Sequence, residues 1–187
     1  MKKQLSIFAI VIFMISTLFP SCKKDAMEEN EEEVITTMKL TFVPVGGGTN
    51  LEFSFDDPDG PGGAAPTQQA ITLAAAKTYN VTVQLLNKTA SPAEDITDEV
   101  NAESDAHRFY YAPSAGSNIT VAGLNNDASG IPLGITSVWT TGTAAIGKIK
   151  VTLRHYPANP PDKAAADAVN SPKSGTDIEV EFDTTVQ

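Results

Sequence analysis

Cysteine is nearly absent from this chain. The 187 residues contain one, Cys22, so no intramolecular disulfide is available. Histidine is scarce too, with only His107 and His155. Positive charge is outweighed, 13 Lys and Arg against 23 Asp and Glu, for a net charge of −10. That balance argues against a nucleic-acid partner and against electrostatic adhesion to anionic lipid. It is compatible with cation binding and with plain solubility. The signatures of common enzymes are also missing: there is no Gly-x-Ser-x-Gly elbow, no P-loop, no Gly-x-Gly-x-x-Gly after a strand, and no second cysteine to serve as a nucleophile. The expectation is a protein that is not an enzyme. Acids are plentiful, so a carbohydrate-active hydrolase built on a carboxylate pair stands as a third reading. No alternation of strand and helix patterns is visible, which argues against a parallel α/β domain.

What is present begins with an address. Lys2 and Lys3 are followed by an apolar run from Leu5 to Phe19, broken only by Ser6, Ser16 and Thr17. A spanning helix needs about 20 apolar residues and a secretory signal roughly 7–15, and this run fits the second. Leu18-Phe19-Pro20-Ser21-Cys22 resembles the lipobox of bacterial lipoproteins in its looser Bacteroidota form. The resemblance implies a signal peptide over 1–21, cleavage before Cys22, and acylation of Cys22, which also accounts for the lone cysteine. Several acyl chains give the stable anchoring that one chain does not. Residues 22–33 then read as a lipidated cysteine and an acidic disordered tether carrying Asp25, Glu28, Glu29, Glu31, Glu32 and Glu33. Acids after the cysteine resemble the signal that sends such lipoproteins to the outer face of the outer membrane. The expected location is the outer membrane, at the cell surface rather than facing the periplasm.

Residues 34–187 form the expected domain. Val34–Val45 alternates, with Met38, Leu40 and Phe42 on one face, and Gly46-Gly47-Gly48 turns it back into Leu51–Phe55. Further strands are expected at 70–75, 78–86, 107–112, 118–124, 133–140, 146–155 and 176–186. The last two alternate cleanly: Ile149, Val151 and Leu153 face in against Lys148, Lys150, Thr152 and Arg154, while Ile178, Val180 and Phe182 face in against Asp177, Glu179, Glu181 and Asp183. Their basic and acidic outer rows are expected to pair if the strands are neighbours. Ser91-Pro92-Ala93-Glu94 has the pattern of a capping box, predicting one helix from 92 to about 104 with Ile96 and Val100 as its apolar stripe. The 156–175 stretch reads as a long loop, functional or mobile. The fold class is therefore all-β: an antiparallel β-sandwich, Ig-like in broad shape, with about nine strands and one short helix. A closed barrel is the alternative.

Several stretches together carry a family resemblance. They are the lipobox and acidic tether, the Val34-Ile35-Thr36-Thr37 strand, the Gly-rich turn, Asp56-Asp57-Pro58-Asp59-Gly60, Leu85-Leu86-Asn87 with Pro92-Ala93-Glu94-Asp95-Ile96-Thr97-Asp98-Glu99, Thr152-Leu153-Arg154-His155 and Asp177-Ile178-Glu179-Val180. They resemble a small lipoprotein family of marine and soil Bacteroidota (Flavobacteria-like), some of whose members are labelled as having a type 1 periplasmic-binding fold. The resemblance covers most of the mature chain. It implies an origin and a location and brings no mechanism with it. The label implies two α/β lobes, where the residue pattern implies the sandwich.

Four features suggest chemistry. Asn125, Asp127 and Ser129, followed by Gly130, match positions 1, 3, 5 and 6 of a calcium loop, although position 12 is Thr136 rather than glutamate. Asp56, Asp57 and Asp59 form a second acidic turn. His107 and His155 each lie on an inward strand parity, and if the strands are close they meet at a sandwich rim with Glu103, Asp105 or Asp177 nearby. Two imidazoles and a carboxylate suit Zn or Cu. Asp183-Thr184-Thr185 resembles the acceptor of Bacteroidota O-glycosylation, with Thr184 modified. Trp139 and the Tyr110-Tyr111 pair are candidates for a sugar platform. The leading function is a membrane-anchored, non-catalytic binding or accessory module, held by its lipid and working beside an outer-membrane receptor or envelope protein, with no nucleic acid partner. The alternative is a lipoprotein that binds Ca, Zn or Cu.

Overall fold

The computed structural model describes residues 33–187. The expected signal peptide over 1–21, the expected lipidation site Cys22 and all of the expected acidic tether except Glu33 lie outside them. The described chain is an all-β sandwich of two sheets with one short helix. Its strands are β1 (Thr37–Pro44), β2 (Leu51–Asp56), β3 (Thr67–Gln68), β4 (Ile71–Leu73), β5 (Thr78–Asn87), β6 (Glu94–Asp95), β7 (His107–Pro113), β8 (Ile119–Ala122), β9 (Thr136–Thr141), β10 (Ala145–His155) and β11 (Gly175–Val186). The helix α1 is Ile96–Ala102. Nine of the strands are those the alternation predicts. The other two, β3 and β6, are two-residue edge pairings too short to leave a periodic signal.

The larger sheet runs β3-β2-β1-β5-β9-β8, with β6 alongside the end of β5. The smaller runs β4-β11-β10-β7. All pairings are antiparallel except β4 with β11. Alternation sets the core. Met38, Leu40 and Phe42 of β1, Tyr79, Val81, Val83 and Leu85 of β5, Ile149, Val151 and Leu153 of β10, and Ile178, Val180 and Phe182 of β11 all face into one apolar cluster between the sheets. Phe42 sits at its aromatic end, edge-on to Phe53, Tyr79 and Trp139 at 5.6, 5.9 and 5.1 Å between centroids. Each such edge contact contributes about 0.5–1.5 kcal/mol beyond the area it buries. Trp139 is fully buried and its indole N–H donates to Ser137 Oγ at 2.9 Å, so it is core and offers no sugar platform. Tyr111 packs edge-on to it and donates its hydroxyl to Gly134 O at 2.6 Å. Tyr110, the third residue of the expected platform, lies under the Arg108 guanidinium and is hydrogen-bonded to Tyr156.

The outer faces of β10 and β11 pair as their charge rows suggest. Lys148 reaches Glu181 at 2.8 Å and Asp183 at 3.4 Å, and Lys150 reaches Glu179 at 2.7 Å. The helix is shorter than expected and starts later. Glu94 and Asp95 are taken up by pairing with Asn87 and Leu86 of β5, so Ser91 does not cap. Asp95 does so instead, accepting from Thr97 N at 3.0 Å. Ile96 and Val100 are the buried stripe.

The long connection from Tyr156 to Ser174 is pinned, not free. The Arg108 guanidinium donates to the carbonyls of Ala164, Ala165 and Asp167, and Arg154 donates to Ser171 O and Ser174 Oγ. Lys163 turns its ammonium inward, to Ser104 O at 2.5 Å, His107 O at 2.9 Å, Pro132 O at 3.4 Å and the Asp127 carboxylate at 2.8 Å. This buried ion pair ties the loop to the residues that precede and carry His107.

Candidate metal centre

His107 opens β7 and His155 closes β10, and the two strands pair antiparallel with these histidines directly opposite each other. Inward parity puts both rings on the core side, at the end of the smaller sheet. The rings stack with centroids 4.4 Å apart. The rim meeting inferred from parity is therefore what the register produces.

A carboxylate from the third strand joins them through an irregularity. The β10/β11 ladder pairs Leu153 with Ile178 and Arg154 with Thr176, so Asp177 is the extra residue of a β-bulge. Simple alternation points Asp177 outward with Glu179 and Glu181. The bulge reverses its direction, and its side chain is 1 % exposed. Its Oδ2 lies 3.9 Å from His107 Nε2 and its Oδ1 3.9 Å from His155 Nδ1. Of the three acids the sequence offered, Asp177 is the one at the site. Glu103 contributes its backbone carbonyl, and Asp105 shows no contact there among the described residues.

The fourth member comes from the end of the acidic stretch 22–33 that reads as a tether. Glu33 precedes β1 and swings its carboxylate under the smaller sheet, where Oε1 lies 2.8 Å from His107 Nε2 with the side chain only 6 % exposed. Composition alone groups Glu33 with Glu31 and Glu32, and no local pattern sets it apart; only the tertiary contact does. One nitrogen or oxygen atom from each of Glu33, His107, His155 and Asp177 falls within 4.8 Å of all the others.

The electrostatics follow from burying two carboxylates together. Burial pushes Glu33 toward the neutral acid, but the hydrogen bond and charge of His107 more than offset it, holding the carboxyl below its ordinary value. Burial likewise opposes an imidazolium at His107. The Glu33 hydrogen bond and charge, the Glu103 carbonyl and the Asp177 charge outweigh it and raise that group. Two buried carboxylates demand about two compensating positive charges. Two protonated imidazoles supply them, and so does one divalent cation.

The site has the outer support of a metal centre. His107 Nδ1 lies 3.1 Å from Glu103 O, the C-cap of α1, so that nitrogen carries the proton and Nε2 is the one turned toward the carboxylates. Tetrahedral zinc with bonds of about 2.0–2.1 Å places its ligands roughly 3.3–3.4 Å apart. The separations here, 2.8 to 4.8 Å, bracket that value and need shifts of about an ångström. Imidazole nitrogens disfavour calcium, which takes oxygen ligands.

The other sequence candidates resolve differently. The Asn125–Gly130 loop does not converge its oxygens on an empty centre. Asp127 Oδ1 accepts from Ser129 N and Ile131 N at 2.8 and 2.9 Å, its Oδ2 meets Lys163, and Asn125 Oδ1 accepts from Thr136 N at 2.8 Å. Ser129 contributes its backbone amide to that turn. The calcium reading of Asn125, Asp127 and Ser129 is thus corrected to a turn built around a buried ion pair. In the second acidic turn Asp56 pairs with Lys88 at 2.6 Å and Asp59 accepts from Ala64 N at 2.8 Å. Thr184 is 1 % exposed, on the inward parity of Phe182 and Val186, so a glycan there is excluded by burial.

The chain matches no family model, no curated protein and no solved structure.

Proposed function

We propose that the protein is a membrane-tethered, non-catalytic module that binds one divalent transition-metal ion, zinc foremost, through Glu33, His107, His155 and Asp177. The observation that carries this reading is the convergence of the four side chains, each 6 % exposed or less, with one potential ligand atom of each within 4.8 Å of all the others. Zinc accepts nitrogen and oxygen donors at four-coordination and imposes no d-electron geometry. Copper(II) suits the same donors and binds more tightly in the general order of divalent ions. Four protein ligands leave no open position for substrate, which favours a structural or carrier role over catalysis. The lipobox-like segment ending at Cys22 supports a lipid anchor in the outer membrane. The short acidic stretch after it supports display at the cell surface, beside a receptor or other envelope protein.

Titration calorimetry tests the metal. One zinc should bind per chain of wild type, and none to His107→Ala/His155→Ala at the same concentration. A folded wild-type protein that binds no zinc or copper leaves the cluster as a buried ion pair only and removes the proposal. The anchor is tested separately: Cys22→Ala should move the protein from the membrane to the soluble fraction.

A further inference from the structure

The four ligands are not held alike. His107, His155 and Asp177 sit on β7, β10 and β11, three hydrogen-bonded strands, with His107 and His155 paired in the ladder and Asp177 at the bulge between paired Thr176 and Ile178. His107 is held further by the Glu103 carbonyl at its ring and by Lys163 at its own carbonyl. Glu33 belongs to no strand. Among the described residues, the first backbone hydrogen bond after it is Thr36 N–H to Leu86 O at 2.9 Å, with Thr36 Oγ1 bonded to the same carbonyl and to Lys88 N. Between them Val34 is 52 % exposed, and Ile35 packs partly against the core. The link from Glu33 to the site is thus its carboxylate, while Thr36 is where the ladder begins.

Resting on the metal reading above, we infer that residues 33–35 are the gate of the site and that Glu33 is its displaceable ligand. An ion cannot reach four side chains this deeply buried unless one of them moves aside. Withdrawing the backbone under His155 breaks pairing of β10, that under His107 breaks the end of the β7/β10 ladder, and that under Asp177 pulls on the paired residues Thr176 and Ile178 at either side of it. Withdrawing Glu33 breaks the contact to His107 and, as the chain turns about Thr36, loosens the partial packing of Ile35, but it breaks no ladder hydrogen bond among the described residues. What remains is two imidazoles and one carboxylate around a position left open, the donor set of a metal site that takes an external fourth ligand. A small carboxylate from outside matches the group that has left. The ion is therefore loaded and released through the Glu33 side, and a carboxylate-bearing acceptor can take it from there.

Zinc release from the detergent-solubilised full chain into an excess of chromophoric chelator, followed by stopped flow, tests this. Wild type, Glu33→Gln, Glu33→Gly and Asp177→Gly are compared, each checked for folding by circular dichroism. Glu33→Gln and Glu33→Gly should release zinc at least ~10-fold faster than wild type. Their affinity loss should be no smaller than the ~10–100-fold that loss of an outer-shell partner brings. Excess acetate should restore affinity and slow release in Glu33→Gly but not in Asp177→Gly, whose vacated position is 1 % exposed beside the bulge of β11. If wild type binds zinc but the Glu33 variants release it at the wild-type rate, the gate is refuted and the metal site stands. The same holds if acetate rescues Glu33→Gly and Asp177→Gly alike, or neither. If wild type binds no zinc, both readings fall.

Discussion

Lys163→Met removes one charge from a deeply buried ion pair. Lys163 and Asp127 side chains are each 1 % exposed and 2.8 Å apart. Removal leaves the Asp127 carboxylate with two amide donors and no counter-charge. It also leaves the carbonyls of Ser104, His107 and Pro132 without the ammonium that now binds them. Breaking one side of a buried pair costs about 3–5 kcal/mol. At roughly 2–4 °C per kcal/mol for a domain of this size, the melting temperature should fall by roughly 6–20 °C. Met keeps most of the length of the side chain and loses only the terminal ammonium, so the loss reads charge and hydrogen bonding more than volume. Asp127→Asn should also destabilise, because it strands the ammonium. The double variant should recover part of the loss, with a coupling of about 0.5–3 kcal/mol. The assay is urea and thermal unfolding followed by far-UV circular dichroism on all four proteins. A Lys163→Met variant that loses less than about 1 kcal/mol, or a double variant equal to the sum of the singles, would refute the reasoning.

Three further outcomes follow from the same structure. Burial raises Asp127, yet Lys163 and the amides of Ile131 and Ser129 more than offset it, so its carboxyl is held below the ordinary value. Its contribution to stability is full above the unfolded pKa of about 3.9 and is lost as pH falls through the lower folded value, so unfolding midpoints should drop below about pH 4 and Asp127→Asn should flatten that drop. Millimolar calcium should leave the melting temperature of chelator-treated wild type unchanged, since the oxygens of Asp127 and Asn125 are already engaged; a calcium shift abolished by Asp127→Ala would reinstate the loop as a site. Thr184→Val should stabilise by about 1 kcal/mol, because Thr184 Oγ1 is buried without a hydrogen-bond partner among the described residues and the exchange keeps its shape; a loss of stability in chemical denaturation would argue for an unseen partner.

Much of this architecture is legible in the sequence because strand alternation is a local signal. Met38, Leu40 and Phe42, or Ile178, Val180 and Phe182, announce their face without any knowledge of the partner strand. Parity also places His107 and His155 inward, and their meeting needs only that β7 and β10 be neighbours. The remainder of the site depends on events with no local signature. A single bulge between Leu153 and Arg154 turns Asp177 from an outward to an inward residue. Glu33 is one acid among several, distinguished only by the imidazole it reaches. The calcium-like loop misleads for the converse reason: Asn, Asp, Ser and Gly build polar turns and calcium loops alike, and the cation that satisfies Asp127 comes from Lys163, 36 positions further along the chain. The capping-box pattern at Ser91 fails because strand pairing claims Glu94 and Asp95 first.

Zinc K-edge X-ray absorption on the protein loaded with one equivalent of zinc tests the central claim most directly. The account predicts four nitrogen or oxygen neighbours at about 2.0–2.1 Å, with the outer-shell scattering of two imidazoles, lost in His107→Ala/His155→Ala. A spectrum of hydrated zinc with no imidazole scattering from a folded wild-type protein would contradict it.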